Sequence, residues 1–286
     1  MAEYKGIDVS KWQGDIDWAK VKAYGVQFAM LRCGTGANGG SKDKFFEQNY
    51  KQARENRISL GAYYYTYAKN VDQAKKDADN VIEWIKGKEF EYPIVFDIED
   101  NTQASLGKTK TSAIIKAFCE KIEKAGYYVM VYANKDWLEN RIDEEVKTKY
   151  DIWLAQWSSK PTYKGNYGIW QYTSKGKVNG ISGNVDMDYA FKNYPLIMKS
   201  SGLNGYTKKT EQTTNPQVSQ TQSKYFKKYT GKTVSIVDAL KSIGVNSAFS
   251  YRKQIAKANG IKSYLGTASQ NTKLLDLLKA GKLLKP

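Results

Sequence analysis

Strand-like and helix-like patterns alternate along the first 190 residues of this 286-residue chain, which restricts it to an α/β architecture built on a mainly parallel sheet. Short apolar runs mark strands at 4–9, 26–33, 58–67, 92–100, 127–132, 151–157, 168–172 and 185–189. Amphipathic stretches at 18–23, 45–56, 71–85, 111–124 and 136–149 follow the first five of them. In the 71–85 stretch, apolar residues at 71, 74, 78, 81, 82 and 85 keep the 3.6-residue period of a helix with one buried face. After 157 the connections turn rich in Gly, Ser, Lys and Asn, with no helical period. This order predicts a modified TIM-like barrel of five βα units followed by three strands, lacking its last helices.

Catalytic groups in such barrels gather at the C-terminal ends of the strands. Here those ends carry Asp8, Arg32, Tyr63 to Tyr67, Asp97, Glu99, Tyr132, Trp153 to Trp157, Gln171, Asp186 and Asp188. The segment from Tyr92 to Asp100 is the sharpest case. Alternation along a strand puts Asp97 and Glu99 on one face, with Cα atoms about 6.6 Å apart. Two acids on one buried face repel each other unless one keeps its proton or a substrate uses them, and general acid catalysis needs that asymmetry. Acids ringed by Tyr and Trp suit a sugar groove, where aromatic faces stack on sugar rings and carboxylates handle hydroxyls and the glycosidic oxygen. The glycine-rich loop Gly34 to Gly40 lacks the Gly-Lys-Ser/Thr ending of a phosphate-binding loop and reads as turn chemistry.

Histidine is absent, which removes Ser/His/Asp and Cys/His dyads and His-ligated zinc. Carboxylates, tyrosines and lysines remain, and neither a metal nor a cofactor is expected. Cys33 and Cys119 lie far apart and read as free core thiols. The net charge of +16 is concentrated at one end: from Lys199 onward there are 16 Lys and Arg against 3 acids, leaving 29 against 26 before it. Such a tail suits an acidic polymer, whether nucleic acid, an anionic membrane surface or a teichoic-acid-bearing wall. It carries no recognised nucleic-acid motif, so nucleic acid is not the expected partner. No segment approaches the ~18 apolar residues of a membrane span, and the first ten residues carry no apolar run, so neither membrane insertion nor a signal peptide is expected.

The composition divides the chain into a catalytic domain at 1–199, a Ser/Thr/Gln-rich linker at 200–224 and a helical unit at 225–286. In that last unit 234–243, 247–259 and 269–280 carry helical periodicity, with Gly244, Gly260 and Gly281 at their C-caps, which predicts a small all-α bundle.

Several motifs in order, Gly6-Ile7-Asp8-Val9-Ser10 with Trp12-Gln13-Gly14, Gly61-Ala62-Tyr63, Phe96-Asp97-Ile98-Glu99, Val131-Tyr132, Trp153-Leu154-Ala155-Gln156-Trp157, Ile169-Trp170-Gln171-Tyr172 and Val185-Asp186-Met187-Asp188, resemble the family 25 glycoside hydrolases. These are N-acetylmuramidases, or Chalaropsis-type lysozymes, found among phage endolysins and bacterial autolysins. The resemblance implies a barrel of five βα units and three strands, and hydrolysis of the β-1,4 bond from N-acetylmuramic acid to N-acetylglucosamine in peptidoglycan. It implies Glu99 as general acid, Asp97 beside it, Asp8 and Asp186 on neighbouring strand ends, and Tyr63 and Tyr132 as groove aromatics. Trp157, Gln171 and Asp188 join them as candidate substrate contacts. On this reading Glu99 has a pKa raised by burial and by the charge of Asp97, which stays ionised. Tyr64 departs from the histidine that many members carry there. The C-terminal unit resembles wall-binding modules of clostridial and related phage lysins, around Tyr229-Thr230-Gly231 and Ala258-Asn259-Gly260-Ile261. The implied partners are bacterial peptidoglycan and associated wall polymers, and the implied setting is the host cytoplasm until lysis, then the wall. A non-catalytic wall-carbohydrate-binding protein is the alternative.

Overall fold

The structure, a computed structural model, describes residues 3–207 and 224–286, which fall into two compact units divided at Glu211. Most of the expected linker, 208–223, lies outside the described residues.

In the first unit eight strands close into a barrel. Parallel pairing runs from β1 (Tyr4–Val9) through β2 (Phe28–Thr35), β4 (Ser59–Tyr65), β5 (Ile94–Asp97), β6 (Val129–Asn134) and β7 (Asp151–Ala155) to β8 (Ile169–Gly176). The last strand, β9 (Val185–Ala190), is antiparallel to both β8 and β1 and closes the ring. A short ribbon, β3 (Ser41–Lys42), pairs with the end of β2 and has no counterpart in the apolar pattern. Helices α1 (Trp18–Ala23), α2 (Phe46–Glu55), α3 (Val71–Ile85), α4 (Lys108–Lys124) and the pair α5 (Lys135–Asn140) and α6 (Glu144–Lys149) fill the first five crossovers, giving the five βα units and three strands expected.

Local chemistry sets these elements. Asn70 caps α3 by accepting from the Gln73 N–H at 2.9 Å, and Asn134 caps α5 by accepting from the Trp137 N–H at 3.1 Å. The single helix expected at 136–149 breaks because the Asp143 N–H bonds to Ser112 Oγ at 2.8 Å, outside the helical ladder, while Ile142 is buried. The β8–β9 connection, residues 177–184, is too short for a crossover helix, so β9 returns antiparallel.

Two apolar layers result. Helices pack outside the strands around residues such as Phe96, Phe118, Ile114 and Leu154, while Phe28, Met30, Tyr92, Met130 and Trp153 fill the interior. Interior packing is close: a Cβ at Gly6 would stand 2.2 Å from the Phe28 ring, so only glycine fits beneath it.

A helix absent from the expected fold plugs the floor of the barrel. This is α7 (Tyr194–Ser201), which buries Tyr194 and Met198 against Tyr92 and Tyr128, residues at the N-terminal ends of β5 and β6. Beyond it Asn204 is fully buried. Its Nδ2 donates to the Tyr92 carbonyl at 2.8 Å, and its Oδ1 accepts from the Tyr128 N–H at 2.7 Å. Residues 200–206, placed in the linker by composition, therefore pack as part of the barrel.

The second unit contains α8 (Ile236–Ser242), α9 (Phe249–Ala258) and α10 (Ala268–Ala280) around Phe226, Leu240, Ile255, Leu274 and Leu278. Gly244, Gly260 and Gly281 all take positive φ at the helix ends, as their C-cap positions predict. Tyr225 bridges to Leu284, tying the two ends of the unit together.

Candidate active site

The C-terminal ends of the parallel strands open on a cleft of about 280 Å³. Eight of the nine residues singled out from the sequence line it: Asp8, Asp97, Glu99 and Asp186 with Tyr63, Tyr132, Trp157 and Gln171. The ninth, Asp188, does not. Because β9 runs antiparallel, Asp186 near its start lies at the mouth opposite Asp8, while Asp188 sits two residues deeper opposite Gly6 and Gln171. Asp188 is fully buried and accepts from Trp153 Nε1 at 2.8 Å, so it supports the cleft from below.

One hydrogen-bond chain orders much of the wall. Gln171 Oε1 accepts from Tyr132 OH at 3.0 Å and from Trp157 Nε1 at 2.9 Å, which turns its amide Nε2 to donate to Asp8 Oδ2 at 2.8 Å. Trp153 braces the floor, edge-on to Tyr63 and Tyr132 with centroids 6.0 and 4.8 Å away. The tyrosines are thereby held in place before any ligand arrives.

Asp97 ends β5, and its carbonyl accepts from the Thr66 N–H at 3.0 Å. Its side chain is buried, and Oδ1 has no hydrogen-bond partner among the described residues. Glu99 stands past the strand end, partly exposed, with Oε2 accepting from Asn134 Nδ2 at 3.3 Å.

Burial is the first cause of raised pKa at every cleft acid. It lifts Asp97 well above the usual carboxylate range, with the neighbouring Glu99 charge adding to the rise and Arg32 opposing it. Glu99 is raised by burial, then held back by its bond from Asn134, with the Asp186 and Asp100 charges pushing upward. Asp8 is raised well above the usual range by burial and by Asp188 and Asp186. Asp186 is pushed up to about 6, again by burial. Expectation and structure part here. Sequence reasoning kept Asp97 ionised and raised Glu99 alone, whereas in the free protein both acids are raised and Asp97 is the deeper.

Arg32, Tyr65, Trp153 and Ser174 also line the cleft. Arg32 was visible as a charged residue ending a buried strand, but its anchor was not. Asp43, eleven residues on, accepts from both Nε and Nη2 at 2.8 Å and also takes the Lys11 and Phe45 N–H groups. A cation is thus fixed beside the acids.

This set of carboxylates at a barrel mouth accords with comparison to known proteins. The sequence pattern of the Glycosyl hydrolases family 25 matches residues 7–181. The chain belongs to that family. Lysozyme M1 of Streptomyces globisporus is 32% identical over 196 residues, covering 64% of this chain and 66% of that protein. The solved autolysin LytC of Streptococcus pneumoniae, in complex with a synthetic peptidoglycan ligand, is 29% identical with a TM-score of 0.61, covering 66% of this chain and 47% of LytC. A shorter match, 49% identical over 49 residues and 17% of each chain, is to the L-alanyl-D-glutamate peptidase of Listeria phage A118. The chain spans less than two thirds of the length of each of these relatives.

Within family 25 the Tyr64 departure lies off the cleft. Tyr64 is fully buried on the outer side of the barrel, donating to Asp77 Oδ1 at 2.7 Å and packing on Phe118. Thr66 Oγ1 donates to the other Asp77 oxygen at 2.6 Å, so this network anchors the β4 end beneath Asp97 and makes no groove contact.

Proposed function

We propose that this chain is a peptidoglycan hydrolase, an N-acetylmuramidase that cleaves the β-1,4 bond between N-acetylmuramic acid and N-acetylglucosamine. The observation that carries the reading is the Asp97–Glu99 pair, raised by burial and flanked by Asp8 and Asp186 at the mouth of the barrel. Glu99, the more exposed of the pair, protonates the glycosidic oxygen as the bond to it breaks. Asp97 offers an unpartnered buried acceptor, Oδ1, suited to the N–H of a 2-acetamido group. Accepting that N–H stabilises ionised Asp97 and leaves Glu99 to carry the proton. It also aims the acetamido oxygen at the anomeric carbon, a substrate-assisted route open to N-acetyl sugars, with retention of configuration. Tyr63, Tyr132 and Trp157 supply ring faces for the sugars, with Gln171 orienting two of them. Asp188 acts below the cleft by holding Trp153 and by raising Asp8.

The C-terminal unit carries the chain to the wall. Residues 224–286 hold 13 Lys and Arg against 2 Asp, a charge suited to anionic wall polymers. A phage relative favours an endolysin setting, with the protein accumulating in the host until lysis opens the way to the wall.

The decisive experiment is the identification of reducing ends after digestion of purified peptidoglycan. Muramic acid ends are expected. Glucosamine ends would make the protein a glucosaminidase, and the release of no ends would make it a carbohydrate-binding protein only.

A further inference from the structure

The cleft of about 280 Å³ is at the small end for ligand sites, so most of a glycan polymer must lie on the rim outside it. Four barrel aromatics are exposed among the described residues, Trp12 and Trp157 strongly and Tyr24 and Tyr67 less so. Three of them follow the C-terminal ends of barrel strands, Trp12 after β1, Tyr67 after β4 and Trp157 after β7. Trp157 is tied to the cleft wall through Gln171, and Tyr67 packs edge-on to the cleft residue Tyr65 with centroids 5.2 Å apart.

Trp12 is the most exposed of the four, at 75%. An isolated exposed apolar side chain is ordinary, and exposure alone argues nothing. The backbone beneath this one is unusually well fixed. It rides on a single 3-10 turn, Lys11–Gln13, whose capping box has Ser10 Oγ accepting from the Trp12 N–H at 3.3 Å and Gln13 Oε1 accepting from the Ser10 N–H at 2.9 Å. On one side the Lys11 N–H donates to Asp43 Oδ2 at 2.9 Å, the same oxygen that fixes Arg32 in the cleft. On the other, Gln13 Nε2 donates to the Asn184 carbonyl at 3.4 Å, two residues before Asp186. Trp12 is thus suspended between the supports of two cleft residues. Its Cα lies at most about 14 Å from that of Asp8, the reach of four extended residues. Lys11 Nζ stands 4.9 Å from the centre of the indole, steadying the ring.

We propose that Trp12 is a glycan-stacking platform, a subsite that takes an N-acetylated hexose of the polymer a few rings from the bond that is cut. The proposal rests on the reading of the cleft as a glycan site. Stacking on the indole lengthens the bound stretch of chain, so the protein discriminates long glycan strands from short fragments.

The test is equilibrium binding of the full chain carrying Glu99→Gln, with and without Trp12→Ala, to uncross-linked soluble glycan strands and to the tetrasaccharide of the same repeat. The ratio of strand affinity to tetrasaccharide affinity falls about twofold to tenfold in Trp12→Ala. Trp12→Phe, which keeps a ring face, restores most of it. An unchanged ratio, or an equal loss with both ligands, overturns the subsite. Failure of the muramidase reading shows separately, as wild-type protein that releases no reducing ends, and the binding ratio decides the role of Trp12 in either case.

Discussion

Replacing Asn204 with alanine tests how the floor of the barrel is held. The side chain makes a buried hydrogen bond to the Tyr92 carbonyl at 2.8 Å and a partly buried one from the Tyr128 N–H at 2.7 Å. Alanine takes this partner from both backbone groups, at about 1–3 kcal/mol each. Asn204 also sits at φ +58, where asparagine is tolerated and alanine costs about 1–2 kcal/mol more. The expected loss is therefore about 3–8 kcal/mol, a large part of the 5–15 kcal/mol typical of a native domain. Asn204→Gly should recover roughly 1 kcal/mol of it, because glycine accepts the backbone angle but restores neither bond. Urea unfolding followed by tryptophan fluorescence reads this cleanly, since all seven tryptophans lie between 12 and 170 and none in the C-terminal unit. A loss under about 1 kcal/mol in Asn204→Ala would refute the clamp and return 200–206 to the linker.

Glu99→Gln should lower the rate of peptidoglycan cleavage about 10²- to 10⁴-fold with an unfolding midpoint no lower than that of the wild type, and Asp97→Asn should lose nearly as much activity; full turbidity-clearing activity in either would sink the acid assignment. Asp186 keeps its proton in the folded state up to about pH 6, against 3.8 for the ordinary acid, so the native state binds more protons between those values and stability falls as pH rises through them. Asp186→Asn should accordingly gain thermal stability over wild type as pH rises from about 4 to 6, a gain absent at pH 3, and a pH-independent difference would refute burial as the cause. Binding of the full chain to purified walls should fall when salt rises from 0.15 M to about 1 M, where the Debye length shrinks from ~8 to ~3 Å, and salt-independent retention would exclude an electrostatic partner.

The strand count and the five crossover helices were legible because hydrophobic period is a local signal. The strand expected over 92–100, however, stops at Asp97, so Glu99 reaches the cleft from beyond β5 and not by alternation along it. The direction of β9 was not legible. Its five-residue pattern is the same for parallel and antiparallel pairing, and only the short 177–184 connection hinted at a return. That direction decides the site: it raises Asp186 to the mouth and sinks Asp188 below it. Helix α7 escaped notice because it is eight residues long and runs into polar sequence, and Asn204 because one buried asparagine looks like any loop asparagine until its partners are known. The anchoring of Arg32 by Asp43 depends on a loop fold that no period records. The rise at Asp97 was not legible for a related reason, since charge proximity can be read from spacing, whereas depth of burial, the larger cause at both Asp97 and Glu99, cannot.

Depth also explains why the barrel is built so differently at its two ends. At the mouth Asp8, Asp97, Glu99 and Asp186, and just beneath it Asp188, all have raised pKa values with burial as the first cause, so at neutral pH each ionised member weakens the fold. Relieving that cost by exposure would weaken hydrogen bonds and charge effects on a bound sugar. The floor can offset it, because no acid there is part of the cleft. Tyr92 stacks on Phe28 at 4.3 Å, α7 seals the interior, and Asn204 clamps the entries to β5 and β6, the two strands whose far ends present Asp97 and Tyr132. Weakening the floor should then loosen the acids without touching them: in a double mutant, Asp97→Asn should restore part of the stability that Asn204→Ala removes. If Asp97→Asn brings no gain in the unfolding midpoint in either background, the mouth acids are not the strained part of this fold.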